Sequence, residues 1–269
     1  MKGLMQRSLT ALLFGAVVIG SIWLGPITFI LLFFMVTLLC LWEFFKLVAT
    51  EFSWREGIGI VLGVMPFVWE ASHHFSIIPL EPSLLIWLLF FSTFAAILLI
   101  RHPGKVISDT AYWALGTAYL GLPFYFLLKI AFLNGTYRPE LIFGVILLVW
   151  ANDTGAYLVG SRVGKRKLFP SVSPNKTWEG TIGGIVLAVL AGWGVYALGW
   201  FDSLQDGVIL GLIVGIIGTI GDLVESALKR NFDVKDSGSI LPGHGGALDR
   251  FDSFIFLLPF AAAYLILFS

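Results

Sequence analysis

Residues 226–252 read SALKRNFDVKDSGSILPGHGGALDRFD, dense in Lys, Arg and Asp, and are bordered by the apolar runs 205–225 and 253–268. A charge exposed to lipid costs several kcal/mol, so such a segment must lie at a membrane surface or line a wet cavity. The flanking runs are then membrane spans. The stretch therefore divides an integral membrane protein into buried rods and one polar working surface.

Moving outward, the whole 269-residue chain has the same character: 58% of it is hydrophobic and only 13% charged, about half the usual charged fraction. Apolar runs recur at roughly 8–24, 26–48, 57–72, 83–100, 108–132, 139–160, 178–198, 205–228 and 250–268. Each is long enough, or nearly so, to cross ~30 Å of hydrocarbon as a helix. The expectation is an all-α polytopic membrane protein with about nine transmembrane helices in a single integral membrane domain. Breaks fall at Gly25-Pro26, at Asn134-Gly135 and between Gly199 and Asp206, where turn chemistry interrupts the pattern.

If the N-terminus is cytoplasmic, alternate connections place fifteen of the seventeen Lys and Arg residues inside, leaving only Lys129 and Arg138 near the other face. That asymmetry fits the positive-inside rule and puts 226–252 in the cytoplasm. Lys2 and Arg7 precede an apolar stretch without a small-x-small cleavage site, so the first run reads as a retained helix. Formal net charge is zero, with no indication of a nucleic-acid partner, and the single Cys40 excludes a disulfide framework. Gly207, Gly211, Gly215, Gly218 and Gly221 are spaced to share one helix face, as close helix packing through small residues requires.

Four clusters gather on the expected cytoplasmic side. Asp153, in Trp150-Ala-Asn152-Asp153-Thr154-Gly-Ala-Tyr157, sits late in a span and should face a cavity, a cation or an arginine. The loop 161–179 carries Arg162, Lys165, Arg166 and Lys167, which suit lipid headgroups as well as substrate phosphate, and then Ser173-Pro-Asn175-Lys176-Thr177-Trp-Glu179. Thr177 reads as an N-cap, setting Lys176 just before a helix start that attracts anions. Asp222, Glu225, Ser226 and Lys229 fall on one helical face, followed by Arg230. Last come Lys235-Asp236 and Gly243-His244-Gly245-Gly246-Ala-Leu-Asp249-Arg250-Phe-Asp252. Its glycines bring backbone N–H groups close to a ligand, as phosphate-binding turns require. Asp222 and Asp249 form the best pair for a hard cation such as Mg2+, which takes one or two carboxylates and completes its shell with water and phosphate.

The run Ser226-x-Leu-Lys229-Arg230-x4-Lys235-Asp236-x-Gly238-x2-Leu241-Pro242-Gly243-His244-Gly245-Gly246-x-Leu-Asp249-Arg250-x-Asp252 resembles the signature of the phosphatidate cytidylyltransferases, the CDP-diacylglycerol synthases. Ser173-Pro-Asn-Lys176-Thr-Trp-Glu-Gly and the Trp150 to Tyr157 segment are similar to further motifs of that family. The first 140 residues carry no matching motif, so the chain divides into a motif-free half, 1–140, and a catalytic half, 141–269. The resemblance implies transfer of the cytidylyl group of CTP to phosphatidate with release of pyrophosphate. It also implies Mg2+ on Asp222 and Asp249, a second, monovalent cation such as K+, a homodimer, and a place in the cell's inner (plasma) membrane. Catalytic roles are expected for Asp222, Asp249, Lys176 and Asp153. Substrate contacts are expected from Lys229, Arg230, Lys235, Asp236, His244, Gly245, Gly246, Arg250, Asp252, Ser173 and Asn175.

Two other functions are compatible with parts of the pattern. A related transferase acting on another lipid phosphate would differ only in an acceptor tail that touches apolar helix. A transporter would also bury Asp153 and Asp222 among Gly-rich helices, but the charges cluster on one face and no paired broken helices occur in two related halves. A CDP-alcohol phosphotransferase would carry Asp-Gly-x2-Ala-Arg, which is absent.

Overall fold

A computed structural model describes residues 2–49, 52–75, 106–240 and 245–269. The chain forms a bundle of helices: α1 (Lys2–Leu24), α2 (Pro26–Val48), α3 (Trp54–His74), α4 (Val106–Gly116), α5 (Leu122–Ala131), α6 (Pro139–Val163), α7 (Trp178–Ala197), α8 (Leu204–Ile213), α9 (Thr219–Asn231) and α10 (Leu248–Phe268). Single π turns, Thr117–Gly121 and Val214–Gly218, join α4 to α5 and α8 to α9 into continuous rods. Among the described residues, six rods are long and apolar enough to cross a membrane: Pro26–Val48, Ala111–Ala131, Pro139–Val163, Trp178–Ala197, Leu204–Asn231 and Leu248–Phe268. The chain is thus an all-α polytopic membrane protein.

Among the described residues the count of nine spans is not reached. The described apolar part of the first helix, Thr10–Leu24, is shorter than a full span. The third helix carries Arg55, Glu56, Glu70, His73 and His74, which dilute its apolar character. The expected run at 83–100 lies outside the described residues.

Helix starts follow local chemistry. Pro26 and Pro139 occupy first-turn positions where no amide hydrogen bond is lost. Ser53 with Glu56 and Ser203 with Asp206 close reciprocal capping boxes. At the α6 start, Arg138 bonds both Asp202 and Glu140. Its bond to Asp202 raises the guanidinium pKa further and holds the Asp202 carboxyl below its usual range.

The core is aromatic. Phe29, Phe33, Phe44, Phe45, Phe67 and Phe124 are fully buried. Phe251 of α10 packs edge-on to Phe33 and Phe124 at centroid separations of 6.1 and 6.3 Å, tying the last helix to α2 and α5.

The glycine face divides at the π turn. A methyl group at Gly207, Gly211 or Gly215 would strike α7, at Gly192, Val189 and Ile185 respectively. At Gly218 and Gly221 it would instead meet Ser253, Leu257 and Phe256 of α10. The extra residue of a π turn rotates the helix beyond it by about 100°, so one periodic stripe serves two neighbours. The loop at 161–179 also departs from expectation: Lys167–Phe169 and Ser173–Thr177 pair as an antiparallel ribbon, β1 and β2.

Candidate active site

The polar surface is assembled from helix ends that meet at one end of the bundle. α6 contributes its last turns, where Asn152 is buried and Asp153 exposed. The Asn152 amide oxygen has no hydrogen-bond partner and points toward Gly184, whose missing side chain admits it. The ribbon then delivers β2 to the start of α7. Thr177 caps that helix, its Oγ1 accepting from Gly180 N at 3.2 Å, as the sequence predicts. Glu179 accepts from the Lys165 and Arg166 amides and so fixes the preceding loop. Lys176 forms an ion pair with Asp222 across the gap to α9.

α9 enters with Asp222, Glu225, Ser226 and Lys229 along one face. The Ser226 hydroxyl donates to Asp222 Oδ1 at 3.3 Å, and Lys229 pairs with the fully buried Glu225 at 2.5 Å. Lys229 also donates to Asp249 Oδ1 at 2.7 Å, linking α9 to the first turn of α10. Asp249 further accepts from Ser237 N at 3.0 Å and from Gly246 N at 2.7 Å. Gly245, with φ of 79°, presses against the same carboxylate and has no room for a side chain.

These elements enclose a cavity of about 580 Å3 lined by Asn152, Asp153, Tyr157, Ser161, Asn175, Lys176, Thr177, Thr181, Thr219, Asp222 and Ser253 with intervening small residues. That volume is in the range of small-molecule sites. A second cavity of about 380 Å3 adjoins it through Asp153 and Ser253. It runs between α1, α6 and α10, and sets Phe14, Val149, Trp150 and Phe254 beside Arg250 and Asp252.

Of the expected site residues, Asp153, Asn175, Lys176 and Asp222 therefore converge on the larger cavity, and Arg250 and Asp252 on the smaller. Asp249, Lys229 and Gly246 form a separate bonded knot and line neither cavity. Arg230 donates to Val234 O at 2.9 Å. Ser173, Arg230, Lys235 and Asp236 line neither cavity. His244 lies outside the described residues.

A sequence profile of the cytidylyltransferase family matches residues 5–268. The chain belongs to the cytidylyltransferase family. A Bacillus subtilis (strain 168) protein named phosphatidate cytidylyltransferase is 35% identical over 279 residues, covering 100% of both chains. A Staphylococcus aureus (strain COL) protein of the same name is 46% identical over 153 residues, 56% of this chain and 57% of its own. A Staphylococcus saprophyticus relative, also so named, is 44% identical over 152 residues, with the same coverage. The family match spans the motif-free half as well as the signature, so both halves belong to one family unit.

The donor set of this family member suits a hard cation. Asp153 and Asp222 line the larger cavity and Asp153 and Asp252 the smaller, and Lys176 and Arg250 are the basic residues lining the two. Among the described residues no group of three or more Asp, Glu, His or Cys side chains converges tightly enough to hold a metal alone. An ion that draws on one or two carboxylates, water and substrate phosphate needs no such group.

Sequence reasoning missed one residue that the geometry brings to this surface. Glu43 of α2 is fully buried and bonded to the loop before α10. Its signal was an ionisable residue inside LLCLWEFFKLV, an apolar run where a charge is expensive.

Proposed function

We propose that the chain transfers the cytidylyl group of CTP to phosphatidate, forming CDP-diacylglycerol and pyrophosphate for phospholipid synthesis. The observation that carries this reading is the junction of two unlike cavities at Asp153 and Ser253. The larger is lined mainly by residues with polar side chains, Asn175, Lys176 and Asp222 among them, and suits the nucleotide triphosphate. The smaller combines apolar helix surface with Arg250 and suits a lipid phosphate.

In the larger cavity Lys176 stands beside the N-terminal end of α7, where Thr177, Gly180 and Thr181 line the wall. The positive end of the helix dipole and the Lys176 ammonium favour anions there, so this end receives the phosphates that leave as pyrophosphate. Arg250 holds the phosphatidate phosphate, and Asn152 and Asn175 supply polar contacts to the nucleotide. Mg2+ held by Asp222, with Asp153, Asp252 or Asp249 completing its protein ligands, would neutralise charge on the phosphates when bound. Asp249 is held by Lys229 and by the Ser237 and Gly246 amides.

A phosphate monoester has a second pKa near ~6, so phosphatidate is largely dianionic at neutral pH. Its phosphate oxygen attacks the α-phosphorus of CTP, and the bond from that phosphorus to the β-phosphate bridging oxygen breaks. No proton need be removed, which removes the demand for a Ser/His or Cys/His pair. The protein's task is to align two mutually repelling anions.

The charged surface faces the cytoplasm of a bacterial plasma membrane in this reading, because CTP is there and the basic residues gather on that side. A homodimer and a second, monovalent cation such as K+ follow from family resemblance.

Acceptor competition tests the assignment. Purified protein in mixed micelles with CTP, Mg2+ and equal amounts of phosphatidate and a polyprenyl phosphate should convert phosphatidate almost alone. Preferential use of the polyprenyl phosphate would reassign the acceptor.

A further inference from the structure

The loop that carries the signature is held from a distance of two hundred residues. Glu43 Oε1 accepts from Ala247 N at 3.0 Å. Its Oε2 accepts from Leu248 N at 2.9 Å and from the Ser237 hydroxyl at 3.0 Å. Both oxygens are thereby spent on the segment that leads into α10. The carboxylate lies in a slot floored by two glycines: a methyl group at Gly238 or Gly246 would collide with it.

The bonds do two things at once. They satisfy amides at the α10 start that have no partner within the helix, and they place a negative charge at the positive end of its dipole. They also meet the Asp249 knot at Ser237, whose hydroxyl goes to Glu43 while its amide goes to Asp249. The rotational setting of the first turn of α10 is thus fixed from α2. From that turn Arg250, Asp252 and Ser253 project to the cavities, and Asp249 to Lys229.

We propose that Glu43 is a positioning residue for cytidylyl transfer, acting through Ser237 and the α10 amides on Asp249, Arg250 and Asp252. This rests on the reaction assigned above. A residue that only fills space would tolerate the isosteric Glu43→Gln better than the shorter Glu43→Asp. A carboxylate clamp gives the opposite order, because the Gln amide nitrogen presents a donor to groups that are themselves donors, whereas Asp keeps two acceptors.

The test is steady-state turnover of CTP and phosphatidate by full-length wild type, Glu43→Gln and Glu43→Asp, with amide hydrogen exchange followed at residues 245–249. The expected order is wild type, then Asp, then Gln. The Gln variant should lose about 100-fold in kcat, the scale of an ångström-level misplacement. Its exchange at Ala247 and Leu248 should rise while α7 stays protected. Wild-type kcat in Glu43→Gln, or Gln outperforming Asp, overturns the inference, whatever the exchange shows. Should Glu43→Gln fail to fold, Ser237→Ala removes a single donor to the clamp and is expected to lose about tenfold in kcat; an unchanged kcat there also overturns it. Inactivity of the wild type would strike the reaction assignment instead, and the exchange comparison would still decide whether the clamp exists.

Discussion

In the proposed reaction Asp222 is the residue on which most of the site's chemistry turns. It pairs with Lys176, which stands beside the α7 start, accepts from Ser226 and lines the larger cavity together with Asp153. Asp222→Asn should abolish turnover and weaken Mn2+ binding, read by electron paramagnetic resonance, at least tenfold. Asp249→Asn should also abolish turnover but weaken Mn2+ less, because its carboxylate is already engaged by Lys229 and two amides. An Asp249 variant that loses Mn2+ more completely than the Asp222 variant would mean that Asp249 is the principal ligand. Lys176→Ala should raise KM for CTP, since it removes the charge beside the α7 start. At this scale the helix spacing of Asp222 to Lys229 and the Thr177 cap were readable from local sequence. The parting of Asp249 from the cavity was not, because it depends on Ser237 and Gly246 amides whose direction no periodicity encodes.

Among the elements, the α8–α9 rod carries the main departure from simple periodicity. Gly207 and Gly192 meet backbone to backbone across α8 and α7. Gly207→Ala should therefore destabilise the protein by about 1–3 kcal/mol through overpacking, measured as a lower midpoint in detergent denaturation; an unchanged midpoint would mean that the two helices do not approach so closely. The spacing of the glycines suggested one face because it assumes an uninterrupted helix, and a π turn leaves no residue signature of its own. The β1–β2 ribbon was hidden for a related reason: KLFPSVSPNKT has two prolines and no alternating apolar pattern. The ribbon is supported partly by contacts from outside it, such as Trp178 N to Arg166 O at 2.9 Å. Helix existence was legible because apolar length is a strong constraint in lipid, and the breaks at Gly25-Pro26 and Asn134-Gly135 fall where the helices end.

The whole molecule is organised around two buried polar ties at different places in the motif-free half. One is the Glu43 clamp under the signature loop. The other joins α3 to α5, where buried Glu70 is bonded by His74 and Lys129, each at 3.0 Å, and His74 stacks on Phe132. His73 and His74 belong to the last turn of α3. Lys129→Ala should cost about 1–3 kcal/mol in stability by leaving Glu70 short of a partner. It should leave kcat untouched if the tie lies on the face opposite the cavities; a large loss of kcat in a folded variant would overturn the topology. The sequence asymmetry of basic residues leads to the expectation of two such faces, while the motif-free half shows no motif because Glu43 is a single acid within an apolar run.

The central claim is nucleotidyl transfer from CTP to a lipid phosphate at the cavity anchored by Asp222. It is tested most directly by parallel assays of purified protein with phosphatidate, Mg2+ and CTP labelled on either the α or the γ phosphorus, using wild type and Asp222→Asn. The account predicts that wild type puts α label into lipid and γ label into an equimolar amount of pyrophosphate, and that the variant does neither. Label from the γ phosphorus in lipid, or wild-type transfer by Asp222→Asn, would contradict it.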